Sequence, residues 1–206
     1  MAGVRSSAVG MPSTRPLLTT RSTETQAPAD AARRVLERRL VRAAQGGSSE
    51  ALETLFRRHW PAAYRTAYFI VHDAAAAEDI AQEAFLAAVR SLDRFDARRP
   101  FAPWINRIVV NRSIDFARAR KLRREVDAEL ADRVPSRQTA EGISDDLVAA
   151  LAHLAPEQRA VVVLRYLLDW TPGEIARALE LPRGTVNSRL RRALDRLAEV
   201  VGVEGP

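Results

Sequence analysis

Within "AEDIAQEAF" (77–85), Glu78, Asp79 and Glu83 crowd carboxylates into one short stretch of a chain that is otherwise basic, with a formal charge of +6 over 206 residues. Carboxylates this close can hold a metal ion, share a proton, or meet a positively charged partner. At 100° per residue, Asp79, Gln82, Glu83, Leu86 and Arg90 share one helix face, opposite Ile80, Ala84 and Ala88. The carboxylates then point away from the apolar stripe. A di-metal site in a helical bundle would add inward-facing Glu-x-x-His pairs, and no Glu-x-x-His occurs in this sequence. His59, His72 and His153 are scattered and read as structural or surface residues. A helical metal-dependent hydrolase using Glu78, Asp79 and Glu83 is therefore disfavoured, and neither metal nor cofactor is expected. Leu86 stands apolar in the middle of the polar face, as a contact residue does. The ridge reads as a docking surface more than as a solvated helix face.

A second constellation lies in "DWTPGEIARALELPRGTVNSRLRRALDRL" (169–197). Thr171 can cap a helix that starts with Pro172, and Glu174 completes a capping box. That helix turns Ile175, Ala176 and Leu179 inward and ends in "ELP". Another follows from Arg183, with Val186, Leu190, Ala193, Leu194 and Leu197 on its inner side. A short helix, a tight turn and a longer helix form a helix-turn-helix. Arg183, Thr185, Ser188, Arg189 and Arg192 face away from that core, where they could meet base edges and phosphates in a major groove. Five arginines stand against one acid between 183 and 196, which favours DNA over a merely solvated surface.

Between these two lies a strongly basic segment. Residues 90–124 hold eleven Arg or Lys and three Asp, a net charge of +8. Asn111, Asp115 and Arg118 fall one turn apart, while Phe101 and Trp104 sit where a loop meets a helix. Two readings of the aromatics stay open: core packing, or stacking platforms for a single DNA strand. Asp115 either belongs to that surface or braces an arginine.

The elements that must position these residues are helical throughout. Apolar residues make up 47% of the chain, enough for packed cores. Cysteine is absent, which excludes disulfides, zinc ribbons and thiol catalysis. No apolar run is long enough to cross a bilayer or serve as a signal peptide, so a cytoplasmic protein is expected. Lys121 is the only lysine; because the chain is also alanine-rich, as a GC-rich genome would make it, the placement of the arginines matters more than their number. Residues 1–30 are rich in Ser, Thr, Pro and Arg and read as a flexible tail, and 29–45 can form a short helix. From Ser48, the residues Leu52, Leu55, Phe56, Ala63, Ala67 and Ile70 keep helical spacing, with Pro61 expected to bend or restart the helix. Helices are predicted over about 75–92 and 104–124, separated by a loop at 93–103 that contains two prolines. Residues 125–142 lose the period and read as a flexible linker. Beyond it Leu147, Leu151, Leu154, Val161, Val162, Leu164 and Leu167 restore the period. There is no strand-like alternation and no internal repeat. The fold class expected is all-α, in two small helical domains joined by a flexible linker.

The stretch "LAPEQRAVVVLRYLLDWTPGEIARALELPRGTVNSRLRRALDRL" resembles the fourth conserved region of bacterial RNA polymerase sigma factors, with "GTVNSRLRRA" close to its recognition helix. It departs at Glu180, where the family commonly has glycine in the turn. "DAAAAEDIAQEAFLAAVRSLDRFD" and "PFAPWINRIVVNRSIDFARARKLRRE" resemble the second conserved region of sigma factors of the extracytoplasmic-function type. The resemblance covers roughly 48–124 and 145–198. Together with the composition of the segments outside it, the resemblance implies a division of the chain into an N-terminal extension, largely disordered, over 1–45, a region 2-like bundle over 46–124, a linker over 125–144, a region 4-like helix-turn-helix domain over 145–200 and a tail over 201–206. It further implies that Asp79, Gln82, Glu83 and Leu86 grip core RNA polymerase, whose β′ clamp helices and β subunit are the expected contacts. Phe101, Trp104, Asn111 and Arg118 would hold the melted −10 strand. Arg183, Thr185, Ser188, Arg189 and Arg192 would read duplex −35 DNA. An anti-sigma partner, no active site and no membrane insertion complete the expectation. The rival is a stand-alone helix-turn-helix regulator that needs no polymerase, which leaves the acidic ridge and the basic segment without a role.

Overall fold

Glycine stops the first helix and serine starts the next. In the computed structural model, which describes residues 26–126 and 145–202, α1 (Gln26–Gln45) ends before Gly47, whose φ of 90° suits only glycine without strain. The Ser48 hydroxyl then accepts the Ala51 N–H at 3.2 Å and opens α2 (Ser49–Val71). His72 closes α2 in the left-handed conformation, and the Asp73 carboxylate accepts the Ala76 N–H at 3.1 Å to open α3 (Ala74–Ser91). A 3-10 turn over Leu92–Arg94 leads toward α4 (Phe101–Val126). The second group comprises α5 (Asp145–Ala152), α6 (Pro156–Tyr166), α7 (Pro172–Leu179) and α8 (Arg183–Val201). Every regular element among the described residues is helical, in two small domains. No described helix is long and apolar enough to cross a membrane.

The first bundle closes on Leu55, Ile70, Ile105, Val109 and Val110, all fully buried. Each such side chain contributes about 1.5–3 kcal/mol by leaving water. The hydroxyls of Thr66 and Ser113 share this interior because each donates back to a carbonyl one turn earlier, Ala62 O at 2.7 Å and Val109 O at 2.8 Å. The second domain packs α6, α7 and α8 around Val161, Leu164, Ile175 and Val186.

Three local expectations change. Helix α1 is packed, not part of a largely disordered extension over 1–45. Val41 is 1% exposed, Gln45 Nε2 donates to Leu92 O and Phe95 O at 2.8 Å, and the Glu37 carboxylate lies 3.0 Å from His59 Nε2. Residues 1–25 lie outside the described residues, as does the predicted linker over 125–144 except for its first two residues, which continue α4. Helix α2 runs unbroken through Pro61, which sits on the exposed side where water can replace the missing N–H. Helix α4 starts at Phe101 instead of near Trp104. Its Pro103 falls in the first turn, where N–H groups have no helical partner, and Glu37 accepts the Phe101 N–H at 3.3 Å.

The two domains meet at Arg159, a side chain only 8% exposed. Its guanidinium donates to Leu151 O at 2.9 Å, Leu154 O at 3.0 Å and Ala152 O at 3.3 Å in its own domain, and to Ile70 O at the end of α2. Helix ends expose such unpaired carbonyls, and a planar five-donor fork can serve several at once. Burial pulls the Arg159 pKa down to about 10, so it stays charged at neutral pH.

His72 borders this junction. Burial, then the charge of Arg159, then that of Arg120 push its imidazole down to about 3, against a backbone hydrogen bond at Phe69. The unfolded chain therefore takes up a proton near pH 6.5 that the folded chain refuses, so stability is complete above that pH and falls on acidification toward 3. Between pH 7.5 and 5.5 the loss from this group should be roughly 1 kcal/mol. His72→Asn, a residue that tolerates the left-handed backbone, should remove it. Urea unfolding at the two pH values checks this: equal losses in the two proteins would refute the assignment.

Candidate functional site

On α3, Asp79, Gln82, Glu83, Leu86 and Arg90 are all exposed, while Ile80, Ala81, Ala84, Phe85 and Ala88 are buried. The ridge nevertheless divides along its length. Gln82 and Leu86 border a groove of about 410 Å³ whose other walls are Leu52, Phe56, Phe85 and Val89, with Ser49 and Glu53 at the edge. Leu86 is 57% exposed and Phe56 37%, with Phe56 stacked on Trp60 at 4.9 Å and tilted against Phe85 at 4.8 Å. Asp79 and Glu83 turn to the other side, into a cleft shared with Arg112, Asp115 and Phe116 of α4. There Glu83 pairs with Arg112. Glu78, the third carboxylate, accepts from Gln82 Nε2 at 3.3 Å. Among the described residues no group of three His, Cys, Asp or Glu is arranged to hold a metal ion.

Helix α4 presents Trp104, Arg107, Asn111, Asp115 and Arg118 at steps of three and four residues, which lines them along one face. Asn111, Asp115 and Arg118 are exposed and Trp104 half-buried. Phe101 corrects the expectation: at 2% exposed it is core, enclosed by His59 at 5.1 Å, Phe95 at 5.9 Å and Trp104 at 5.4 Å between ring centroids. A buried ring has no free face on which a base could stack. Trp104 instead stacks on Phe95 at 4.4 Å and borders a groove of about 300 Å³ with Arg99 and Arg107. Asp115 lies 3.9 Å from Arg118, so it is at most a loose brace.

The start of α4 is also held from a distance. Glu37 lies between His59 and the Phe101 N–H. Burial alone would raise its pKa, but the His59 hydrogen bond and charge, the Phe101 N–H and the charge of Arg58 outweigh that and hold it below the usual range. Sequence reasoning missed this brace, as it missed Phe56 and Val89 in the groove. The polar Glu37 and Gln45 in an arginine-rich helix were the available signals.

In the second domain, Thr171 and Glu174 cap α7 reciprocally, with Glu174 N to Thr171 Oγ1 at 3.3 Å and Thr171 N to Glu174 Oε2 at 2.8 Å. The turn carries Glu180 at φ 54°, the left-handed conformation a glycine would adopt without strain. Val186, Leu190 and Ala193 anchor α8, leaving Arg183 and Arg192 exposed and Thr185, Ser188 and Arg189 half-buried. Ser188 Oγ donates to Thr185 O at 3.0 Å. Leu194, expected inside, is 42% exposed, because at 100° per residue it lies on the flank of the stripe formed by Val186, Leu190, Ala193 and Leu197.

With this geometry in hand, likeness to known proteins is specific. The family model for Sigma-70 region 2 matches residues 55–124, and that for Sigma-70 region 4 matches 144–197. The ECF RNA polymerase sigma factor SigW of Bacillus subtilis is 31% identical over 172 residues, spanning 76% of this chain and 92% of that protein. The ECF RNA polymerase sigma factor SigM of Mycobacterium tuberculosis is 34% identical over 167 residues, spanning 79% and 83%. The chain belongs to the ECF RNA polymerase sigma factors. Among solved structures, CnrH in complex with the cytosolic domain of CnrY shares 27% identity at a TM-score of 0.63, covering 82% of this chain and 99% of that one.

This sigma factor binds core RNA polymerase and directs initiation at specific promoters. The stand-alone regulator is not favoured, since the region 2 match covers the ridge and basic segment that such a protein would not need.

Proposed function

We propose that the groove around Leu86 receives core polymerase, that the α4 stripe holds the non-template −10 strand, and that α8 reads the −35 duplex. The observation that carries this reading is Leu86 itself, a largely exposed leucine at the lip of an apolar groove in a chain with packed cores elsewhere. Exposed apolar patches rimmed by polar groups are sites of association. Gln82 lies in the groove, whereas Asp79 and Glu83 form its outer acidic flank toward α4, suited to steering a basic partner. The β′ clamp helices and the β subunit are the partner surfaces the family implies.

For the −10 strand the candidates are Trp104, Asn111 and Arg118, joined by Arg107 on the same face. Phe101 supports Trp104 from below and does not touch DNA. For the −35 element they are Arg183, Thr185, Ser188, Arg189 and Arg192. No side chain caps the start of α8 at Pro182, which leaves the N–H groups ahead of Thr185 for a phosphate, the Thr185 N–H itself donating to Pro182 O at 2.9 Å. A Cβ added at Gly184 would meet nothing within 4 Å, so the interior does not require glycine there; a close approach of DNA backbone would. The working divisions are 46–124, with α1 packed against it, and 145–200. The chain acts in the cytoplasm, without an active site of its own. A regulatory partner of the anti-sigma kind is consistent with CnrH, which was solved bound to another protein.

The deciding experiment is run-off transcription with core polymerase on genomic promoters, beside DNA binding by the chain alone. Initiation at a defined promoter together with weak binding alone is expected; tight, specific duplex binding without any effect on initiation would overturn the reading. Within that assay Arg189→Ala should lower promoter use by roughly 10- to 100-fold, the discrimination carried by one bidentate base contact. Its affinity for core polymerase should not change.

A further inference from the structure

The α4 stripe, though exposed at Asn111, Asp115 and Arg118, is not free of the second domain. Both of its arginines meet carboxylates of the second domain. Glu157, in the first turn of α6, accepts from Arg118 Nε at 2.6 Å, and Glu180, in the turn before α8, pairs with Arg107. Arg107 and Arg118 are three helical turns apart, about 16 Å, so the two acids clamp the stripe near both ends. Between α4 and α7, the groove beside Trp104 is closed on its far side by Glu174, Arg177 and Ala178. The charge of Arg189 on α8 also acts on Glu157. One carboxylate thus bonds an arginine of one DNA-facing surface and lies within the field of an arginine of the other.

Neither acid is there for its backbone alone. Glu180 holds a left-handed conformation that favours glycine, and its bond to Arg107 gives a glutamate reason to occupy the position. Glu157 is drawn partly out of water, which disfavours its charge, but a helix N-terminus and the Arg118 fork keep it ionised. A carboxylate facing an arginine fork presents the same geometry as a phosphate. Partly exposed pairs of this kind are individually weak and screened by salt, so they can be exchanged for a stronger polyanion.

We propose that Glu157 and Glu180 are phosphate surrogates, an internal latch that, together with Arg159, keeps the second domain on the −10 stripe until polymerase draws the two apart. This rests on the assignment of Arg107 and Arg118 to DNA made above. The free chain then carries its basic surfaces without binding stray nucleic acid.

The test uses the full chain. It has no cysteine, so a donor–acceptor dye pair can be placed through Arg65→Cys and Asp195→Cys, at exposed positions of α2 and α8. Glu157→Gln with Glu180→Gln is compared with a control of equal charge change, Glu53→Gln with Glu199→Gln, whose acids pair within their own helices. The unlabelled versions are titrated, without polymerase, against a fluorescein-tagged random single strand of about 20 nucleotides at low salt. Because Arg159 still joins the domains, the latch variant should lose part of its energy transfer and bind the strand roughly tenfold more tightly, the control about twofold at most. Unchanged transfer, or an equal gain in affinity by the control, would refute the latch and leave the DNA assignment standing. Lost transfer with no gain beyond the control would instead overturn the assignment of Arg107 and Arg118 to DNA, and the surrogate role with it.

Discussion

Replacing Leu86 by aspartate should weaken binding to core RNA polymerase by roughly 30- to 1,000-fold, the range of a central contact residue worth about 2–4 kcal/mol. The groove formed by Leu52, Phe56, Phe85, Leu86 and Val89 has few polar atoms with which to partner a carboxylate. Any occupant would have to strip water from the new charge and leave it unpaired. The fold should not suffer, because Leu86 is already largely in water in the free chain and surface changes are usually within about 0.5 kcal/mol. Anisotropy with labelled core polymerase, with circular dichroism as the folding control, measures both. Asp79→Asn should change association several-fold and mainly at low salt, as a rim charge does. If Leu86→Asp binds polymerase like the parent, the groove is not the docking site.

Arg159→Leu should destabilise the protein by about 2–4 kcal/mol. The substitution keeps much of the volume and removes the donors that serve Ile70 O, Leu151 O, Ala152 O and Leu154 O. Buried acceptors left without a donor cost roughly 1–3 kcal/mol each, less where water enters. Removing a buried cation recovers part of its desolvation penalty, which is why the sum stays below the pairwise total. Arg159→Lys should recover only part of the loss, since an ammonium has three donors and no planar fork. Urea denaturation gives the value directly. A loss under about 1 kcal/mol would mean that water satisfies these helix ends and that Arg159 does not fasten the domains.

These two residues mark the limits of sequence reading from opposite sides. Leu86 was legible because an apolar residue on the polar face of a periodic helix breaks the local pattern. Arg159 was not, because it sits in an ordinary-looking "PEQRAVVV" helix among many arginines. Nothing in its neighbours says that one guanidinium is buried among the carbonyls of three segments. Phe101 and Trp104 are intermediate cases. Their position at a loop–helix junction was clear, but which ring is enclosed depended on His59 and Phe95 arriving from elsewhere in the chain.

The all-helical class, the two-domain order, the reciprocal cap at Thr171 and the outward rows on α3 and α8 follow from the sequence by itself. Period, capping and charge placement act within a few residues, where chain neighbours fix the geometry. The tertiary structure alone decided that Phe101 is core, that α1 braces the start of α4, that the acidic ridge splits between a groove and a cleft, and that Glu157 and Glu180 close over the α4 arginines. Each of those depends on pairs 29 to 73 residues apart, such as Glu83 with Arg112 and Arg107 with Glu180. Such pairings are set by how whole helices pack, and no local pattern encodes them.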